Sequence, residues 1–548
     1  MPPILDNPLY YLDNFHRVLA CIGERYSDLL SEDEQAFITH FTALPRAPRA
    51  LLVRMLMRKG DLFRASKLAY VEIGDPLLAA APLVRLGWLD DRPLLSLDAL
   101  FGLLKKSDWS ALLDPGQHGL TKARALETLR PRFGAALTFA DWLGDNPDVV
   151  YQVRIRETGD RLRLMFFGNL DQDWSTFVLA DLGLLRYEKV AFCTASRGFA
   201  CRQDVDLYAQ LHAARERLRQ GEPPEAVLAA VPTRNCANPW LEGRRAKLLF
   251  RIARAHERLE QWPAALALYS RCHYPGARVR TIRVLERSQQ YVAALHLAQT
   301  AAGQAENETE AQLLLRIIPR LQRALGLVPQ PKPRAPTIDR LELHLPRPEI
   351  PASVEQVVRD HLSAEQAPVH YVENGLIPSL LGLLCWQPLF AALPGAFFHA
   401  YHRAPVDLLS ADFYPRRAPL FAQCFAQLES GQYRQTIRQH FREKAGLQSP
   451  FVAWGLLSEA LLELALACIP AAHLKACFVR ILQDIQANRS GLPDLIQFWP
   501  DEGRYQMIEV KGPGDRLQDN QRRWLDYCVA HAMPVSVCQV RWLEHDGP

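Results

Sequence analysis

The sequence lacks paired cysteines, zinc-ligand spacings and apolar runs long enough to cross a membrane. Its eleven cysteines stand apart, without a CxxC pair or a His/Cys cluster, so neither a disulfide framework nor a structural zinc site is indicated. No basic start followed by an apolar run and a small-residue cleavage site opens the chain. We therefore expect a cytoplasmic protein with no membrane partner.

Charge of one sign is also not in large excess. The 548 residues include 64 basic and 60 acidic side chains, a net charge of +4, so a nucleic-acid surface has to be a local patch. Hydrophobic residues make up 49% of the chain, which is enough to bury large cores. A chain of this length is expected to fold as several domains.

Changes in periodicity and composition divide the chain into five segments. Amphipathic helical patterns fill residues 1–135, and strand-like runs broken by a turn at 157–160 indicate a small mixed β region over residues 136–204. Residues 205–327 are helical, and "LEQWPAALALYS" echoes "LERSQQYVAALHLAQ", which predicts helical-hairpin repeats. Seven prolines in residues 328–351 predict an extended connector with at most an edge strand. The final module, residues 352–548, is helical first and ends in strands and a helix.

The stretch "GLPDLIQFWPDEGRYQMIEVKGP", residues 491–513, predicts a β-hairpin. Turn-forming residues 500–503 separate two strand-like runs, so Trp499 pairs with Arg504 and, in the same register, Asp494 lies opposite Glu509. Directly opposed residues on one face have Cβ atoms about 4.5–5.5 Å apart. Two like charges at this distance repel each other unless something positive lies between them. Alternation places Lys511 on the same face as Glu509.

A divalent cation explains this cluster of charges better than an ion pair does. Carboxylate oxygens suit Mg²⁺ or Mn²⁺, and such a site can stabilise the charge that develops on a phosphodiester during hydrolysis. Lys511 would orient or help to deprotonate the attacking water, or neutralise the transition state. The alternative is a surface hairpin on which Asp, Glu and Lys meet by chance.

Pro493-Asp494, a gap of fourteen residues and Glu509-Val510-Lys511 together resemble the PD-(D/E)xK nuclease signature. The surrounding residues are similar to its VRR-NUC (virus-type replication-repair nuclease) version. "HYVENGLIPSLLGLLCW", "APVDLLSADFYPRRAPL" and "YYLDNFHRVL" resemble the Fanconi-associated structure-specific nuclease family, in its bacterial form, over nearly the whole chain.

The resemblance implies a multidomain, mainly α fold. It implies a SAP-like/winged DNA-binding region in residues 1–135, TPR-like helices in 205–327, and a restriction-endonuclease-like α/β nuclease domain in 352–548. Vertebrate members carry a ubiquitin-binding zinc finger ahead of these domains. Its Cys/His ligands do not occur in this sequence, so that partner is not expected.

The resemblance also assigns roles to individual residues. It implies that Asp494, Glu509 and the carbonyl of Val510 bind one or two Mg²⁺ or Mn²⁺ ions, and that Lys511 is the catalytic lysine. Glu373, expected on a helix at the start of the module, would add a ligand. By itself, Glu373 is equally a helix-start carboxylate favoured by the macrodipole.

Gln521 is a further candidate for the catalytic site, on the basis of helical periodicity. It shares a predicted helical face with apolar residues such as Trp524 and Leu525, so its amide is expected to point toward the sheet. A buried amide whose hydrogen bonds are satisfied by backbone is the alternative.

Two groups of basic residues are candidates for contacts with DNA phosphates. The first group comprises Arg54, Arg58, Lys59, Arg64 and Lys67. The second group comprises Arg278, Arg280 and Arg283. The second group could hold a terminal phosphate. A solvated charged face is the alternative for the first group.

These patterns predict a metal-dependent phosphodiesterase that cuts branched DNA. By resemblance, the activities are those of a 5′-flap endonuclease and a 5′-to-3′ exonuclease in crosslink repair, in a bacterial cytoplasm and on its nucleoid. A catalytically silent DNA-binding scaffold is the alternative, and the complete Asp/Glu/Lys set argues against it. A sequence-specific restriction-type nuclease lacks an identifiable base-reading element.

Overall fold

The computed structural model describes residues 7–328 and 337–543, apart from 111, 115, 116, 118, 145, 173 and 175–184. The chain divides into two compact units, Met1–Leu185 with Phe199–Asp206 and Arg186–Gly198 with Leu207–Pro548. Helices dominate both units, and the C-terminal module contains a mixed sheet. The expected mainly α, multidomain fold class is therefore confirmed.

The first unit combines short helices with a small antiparallel sheet. Its helices are α1 (Tyr10–Tyr26), α2 (Glu32–Ala43), α3 (Arg46–Met57), α4 (Pro76–Arg85), α5 (Leu97–Leu103), α6 (Lys106–Ser110), α7 (Lys122–Leu129), α8 (Phe139–Leu143) and α9 (Arg156–Phe167). Strand β3 (Val150–Val153) lies between β1 (Leu62–Arg64) and β2 (Leu89–Asp90). The predicted mixed β region at 136–204 is therefore not separate, because β3 completes a sheet begun in the first 90 residues.

The prediction of a second strand after β3 is wrong, because that stretch forms the helix α9. Residues 157–160, taken as a turn, form the first turn of this helix. Its buried face includes Gly159, which lets Leu56 approach so closely that an added Cβ would lie 3.0 Å from a Leu56 methyl. Arg156 anchors the start by donating to the Leu56 carbonyl at 2.7 Å. These tertiary contacts favour a helix over the strand that local composition predicts.

Residues 202–324 form successive helices. These are α10 (Arg202–Arg219), α11 (Pro224–Leu228), α12 (Pro239–Arg258), α13 (Trp262–Tyr269), α14 (Ala277–Arg287), α15 (Tyr291–Gly303) and α16 (Glu308–Ala324). The two similar segments occupy equivalent turns: Glu260 between α12 and α13 and Gln289 between α14 and α15 both have φ near +60°. The predicted helical-hairpin repeat is confirmed in this pair.

The C-terminal module contains a five-stranded sheet of order β4-β8-β7-β6-β5. Its strands are β4 (Asp339–Leu345), β5 (Val369–Tyr371), β6 (Leu495–Trp499), β7 (Arg504–Lys511) and β8 (Val535–Trp542). Strand β8 is parallel to both β4 and β7, whereas β6 is antiparallel to both β7 and β5. The segment 328–351 thus contains the edge strand β4, which belongs to the C-terminal sheet.

Two cores cover the two faces of this sheet. Ile508 and Val510 pack with Val358 on the face covered by α17 (Val354–Leu362). Ile496 and Met507 pack on the other face against a larger, mostly helical cluster. The alternation of buried residues along β7 therefore places Glu509 and Lys511 on one face, as predicted, and this face is the one toward the helical cluster.

A long helical insertion separates the neighbouring strands β5 and β6. Its helices are α18 (Leu376–Leu384), α19 (Trp386–Leu389), α20 (Phe413–Arg416), α21 (Ala418–Ser430), α22 (Tyr433–Glu443), α23 (Glu459–Cys468), α24 (Ala471–Gln483) and α25 (Ile485–Asn488); α26 (Asp519–Ala530) follows β7. Within the described ranges no single helix is long and apolar enough to cross a membrane, although α23 and α24 pass that test together with a 109° bend between them.

The insertion contains a fully buried ion pair. Arg417 is 0% exposed and donates to both oxygens of Asp407, at 2.8 and 2.9 Å. Its guanidinium also lies 4.2 Å from the centre of the Phe413 ring and donates to the Pro388 carbonyl. The conspicuous segment "APVDLLSADFYPRRAPL" is thus a structural element of the insertion.

Candidate active site

The predicted hairpin register is confirmed by the sheet. Trp499 pairs with Arg504 and Leu495 pairs with Ile508, so the next position brings Asp494 opposite Glu509. A 3₁₀ turn at Pro500–Glu502, followed by Gly503 in the left-handed region, closes the hairpin. The two carboxylates therefore lie side by side at the ends of two neighbouring strands, the start of β6 and the end of β7. They are on the face of the sheet that the helical cluster covers.

Asp494 lies just before β6 and accepts hydrogen bonds from two backbone amides, one in β7 and one directly after β5. Its Oδ2 accepts a hydrogen bond from the Val510 amide at 2.9 Å, and its carbonyl accepts one from Val372 at 2.9 Å. Only 7% of the residue is exposed. Burial raises the pKa of the Asp494 carboxyl to about 6, while the Val510 amide and the Lys511 charge act in the opposite direction.

Glu509 is more deeply buried than Asp494, and fewer hydrogen bonds stabilise its negative charge. It is 0% exposed, and neither carboxylate oxygen accepts a hydrogen bond of normal geometry from the described residues. Its charged contact is the ammonium of Lys511, with Nζ 2.6 Å from Oε1. Burial, and next the charge of Asp494, raise the pKa of Glu509 to about 7.

Glu373 lies on the turn between β5 and α18, so its expected position on a helix is wrong. The turn projects the carboxylate into solvent, where it accepts hydrogen bonds from the Tyr371 hydroxyl and, at 3.1 Å, from the Asn374 side chain. The hydrogen bond to Glu373 raises the pKa of Tyr371. The charge of Glu373 also contributes, after burial, to the raised pKa values of Asp494 and Glu509.

The residues present fit a divalent cation. A fully buried carboxylate without hydrogen-bond donors is costly, and a hard cation is the partner that carboxylate oxygens satisfy best. Glu509 has Oε1 beside the Lys511 ammonium and Oε2 without a donor among the described residues, and Asp494 lies opposite it. Over the residues that the structure describes, however, no three His, Cys, Asp or Glu side chains are gathered closely enough to form a metal cluster by themselves.

Gln521 takes part in capping its own helix, and its predicted role in catalysis stays a prediction. It is half-buried at the third position of α26, where its side-chain oxygen accepts a 2.9 Å hydrogen bond from the Gln518 amide. The two glutamines form a reciprocal capping box at the start of the helix. Periodicity placed Gln521 on an inward face, but the free amides of a helix N-terminus compete for its side chain.

The first group of basic residues divides into two kinds. Arg54 donates to Glu72 at 2.7 Å and lies 3.9 Å from the centre of the Tyr11 ring, and Arg64 pairs with Asp108 and Asp148. For these two arginines the prediction of a free phosphate contact is wrong, because both are occupied by internal partners.

The remaining members line an open groove of about 410 Å³. Arg58, Lys59 and Lys67 are exposed there. The neighbouring Lys105 ammonium lowers the pKa of Lys67, so positive charge is concentrated at the groove. A phosphate would relieve this repulsion.

The second group is also engaged internally. Arg278 pairs with the buried Glu310 at 2.5 Å, while Arg280 and Arg283 contact the same oxygen of Glu257 at 3.2 and 3.3 Å. Arg280 and Arg283 share a single carboxylate, and the side chain of Arg283 is 54% exposed, so the terminal-phosphate site at these arginines stays a prediction.

Sequence reasoning missed a basic face on α12. Its members recur at intervals of three and four residues, cover about a quarter of the helix circumference and extend for about 21 Å. They are Arg244, Lys247, Arg251, Arg254 and Arg258. Burial and then the charges of Arg251, Arg244 and Arg215 lower the pKa of Lys247, which shows how closely the cations are spaced. The spacing is readable in the sequence.

Two protein-family models match the chain. The VRR-NUC domain matches residues 428–542, which include Asp494, Glu509 and Lys511. The FAN1, HTH domain matches residues 9–90.

Curated relatives and a solved structure are similar over almost the full chain. The Fanconi-associated nuclease 1 homolog of Pseudomonas aeruginosa is 56% identical, covering 98% of this chain and 97% of the relative. The homolog of Arabidopsis thaliana is 23% identical, covering 97% of this chain and 67% of the relative. The crystal structure of paFAN1 bound to 2nt 5′ flap DNA with gap is 56% identical, has a TM-score of 0.93, and covers 99% of this chain and 100% of that one. This chain therefore belongs to the Fanconi-associated nuclease 1 family.

Proposed function

We propose that this protein is a metal-dependent DNA nuclease that cuts 5′-flap structures as an endonuclease and degrades DNA as a 5′-to-3′ exonuclease. The family membership and the solved relative bound to 5′ flap DNA support a flap as the substrate. Interstrand crosslink repair, in the bacterial cytoplasm and on the nucleoid, is the proposed setting.

One observation carries the catalytic part of the proposal. Glu509 is fully buried opposite Asp494, and within the described part of the chain the cationic contact of this pair of carboxylates is the single ammonium of Lys511. A purely structural hairpin gains nothing from two opposed buried carboxylates that share one ammonium, because an incompletely paired buried charge is destabilising. The arrangement is explained when the carboxylates serve a cation.

Four groups of this chain would hold one or two Mg²⁺ or Mn²⁺ ions. They are the carboxylates of Glu373, Asp494 and Glu509 and the carbonyl of Val510. A bound divalent cation neutralises charge on a phosphodiester and polarises it toward attack.

Lys511 completes the site without being a metal ligand. Its side chain is 11% exposed, and its ammonium lies against Glu509 at the end of β7. From this position it orients the attacking water or donates to a phosphate oxygen in the transition state.

Two separate basic surfaces would bind the DNA backbone. The groove containing Arg58, Lys59 and Lys67 belongs to the first unit, and the basic face of α12 belongs to the second. Lys and Arg contacts to phosphates position a duplex without reading its bases. Selection of a branched structure is consistent with surfaces of this kind, since the shape of the DNA is what they detect.

Cleavage of a labelled 5′-flap duplex with and without Mn²⁺ tests the proposal. We expect cleavage that requires the metal and that Asp494→Asn abolishes, with Glu365→Gln, an exposed carboxylate of the same module, as the matched control. Digestion of a duplex with a recessed 5′ end tests the exonuclease. Tight flap binding without cleavage under any metal would instead support a silent scaffold.

A further inference from the structure

Asn374 has a backbone conformation that a non-glycine residue rarely adopts. Its φ is +50°, in the left-handed region, although Gly375 follows it directly with a φ of −108°. Asparagine is one of the few residues that tolerate this region, at a cost of about 1 kcal/mol. Since glycine would fit this backbone at no steric cost, the side chain of Asn374 needs a separate reason.

That side chain joins two segments 117 residues apart. Its Oδ1 accepts hydrogen bonds from the amides of Gly491 at 2.8 Å and Leu492 at 3.2 Å. Its Nδ2 donates to Glu373 Oε1 at 3.1 Å. One amide group therefore touches both the turn that carries Glu373 and the loop that leads into Asp494.

The loop before Asp494 is held from its other side as well. Gly491 has a φ of +93°, and an added Cβ would lie 2.8 Å from the backbone of Asn520 at the start of α26. The loop is thus fixed between Asn374 and Asn520, three residues before the Asp494 carboxylate.

Glu373 differs from the other two carboxylates because it is exposed. An exposed glutamate samples several rotamers, and fixing them on metal binding costs entropy. The Asn374 amide and the Tyr371 hydroxyl each donate to one of its oxygens, and these bonds hold the carboxylate in one orientation.

We propose that Asn374 is a positioning residue for metal binding, which sets the relative placement of Glu373 and Asp494 before the cation arrives. This role rests on the proposed metal-dependent nuclease function. Groups that orient ligands in this way typically contribute 10- to 100-fold to metal affinity. Asn374 itself contacts no reacting atom, so it acts on the affinity for metal and not on the chemical step.

Mn²⁺ binding to the full chain without DNA, followed by electron paramagnetic resonance, tests the proposal. Asn374→Gly keeps the favoured backbone and removes the amide, and we expect about 10-fold weaker binding. Asn307→Ala is the matched control, because it removes an asparagine that accepts from the Glu310 amide in the helical repeats. The maximal cleavage rate of Asn374→Gly at saturating Mn²⁺ is expected to stay within about 3-fold of the unaltered protein.

Three outcomes would overturn the assignment. Mn²⁺ affinity of Asn374→Gly equal to that of the unaltered chain would show that the amide does not position the ligands. If Asn374→Gly does not fold, Tyr371→Phe is measured instead, because it removes the other hydrogen-bond donor to Glu373. Unchanged Mn²⁺ affinity of Tyr371→Phe would show that hydrogen bonds to Glu373 do not prepare the metal site. Failure of the unaltered chain to bind Mn²⁺ would instead overturn the proposed metal site, and with it this role.

Discussion

Lys511 Nζ lies 2.6 Å from Glu509 Oε1, two residues back on the same strand, and the glutamate of this pair is fully buried. The lysine therefore supplies the positive charge beside a carboxylate whose other charged neighbours are Asp494 and Glu373. In the proposed function the same ammonium also contacts the phosphodiester. Chemistry and stability consequently depend on the same two side chains.

Removing either Lys511 or Asp494 should separate cleavage from binding. We expect Lys511→Ala and Asp494→Asn to lower the flap cleavage rate by at least about 10²-fold, because each removes stabilisation of the transition state. Flap affinity should stay nearly unchanged, since basic surfaces elsewhere supply it. Single-turnover cleavage and fluorescence anisotropy on the same flap measure the two effects. Near-normal cleavage by Asp494→Asn would mean that the catalytic site lies elsewhere in the chain.

Glu509→Gln should stabilise the metal-free protein above neutral pH while abolishing cleavage. Glu509 titrates near pH 7 in the fold against 4.5 ordinarily, so the folded state is penalised progressively as pH rises from about 4.5 to 7. The glutamine removes this penalty, roughly 1–3 kcal/mol at pH 8 and nothing below pH 4.5. Thermal unfolding with a chelator at pH 5 and pH 8 measures it, with Glu365→Gln as the exposed control. A lower midpoint at pH 8 would contradict this prediction.

The two basic surfaces should each contribute to the salt dependence of DNA binding. We expect Lys59→Ala with Lys67→Ala, and separately Arg251→Ala with Arg254→Ala, to weaken flap binding and to flatten its dependence on salt by about one to two released ions per pair. Arg283→Ala with Arg280→Ala is the comparison pair, because Glu257 offsets one of its two charges, and it should change the slope by at most about one released ion. Affinity measured from 50 to 300 mM salt distinguishes the pairs. Equal slopes in all variants would exclude both surfaces.

A nuclease fragment should require the strand β4. A fragment from residue 352 lacks Leu345, which packs in the core beside Val540, and exposes the edge of β8. We therefore expect a fragment starting at 337 to fold and bind Mn²⁺, and one starting at 352 to melt at a lower temperature or aggregate. The longer fragment should cut flap and plain duplex equally well at matched salt. Retained flap preference would place structure selection inside the nuclease module.

Asp407→Ala should destabilise the helical insertion strongly. The substitution leaves the fully buried Arg417 without its bidentate partner, which typically costs about 3–5 kcal/mol. Glu459→Ala removes a partner of Arg442 in an exposed pair and should cost less than about 1 kcal/mol. Chemical denaturation compares the two variants. Similar midpoints would mean that the insertion tolerates an unpaired Arg417.

The hairpin and its charged pair were predictable because every rule involved is local. Turn chemistry at residues 500–503 sets the register, and the alternation of strand residues then determines which face carries Glu509 and Lys511. The repeat of helical hairpins was readable for the same reason, since each unit repeats its own turn.

Features that depend on distant partners were not predictable in this way. Glu373 could not be placed on its turn, because the contact of Asn374 with a loop 117 residues away determines that turn. Arg54 and Arg64 have the composition of a DNA-binding face, yet Glu72, Asp108 and Asp148 occupy them, and such pairing is invisible without the fold. Helix α9 formed in place of a strand because its packing against Leu56 outweighed local propensity.

The helical insertion between β5 and β6 also determines the order in which the site can assemble. The hairpin of β6 and β7 closes a turn of a few residues and can form early, whereas β5 reaches β6 only across more than 110 intervening residues. Contacts of such long sequence separation form slowly and late. Glu373 therefore joins Asp494 only after the insertion has folded, so a newly made chain presents no complete nuclease site until its helical core is in place.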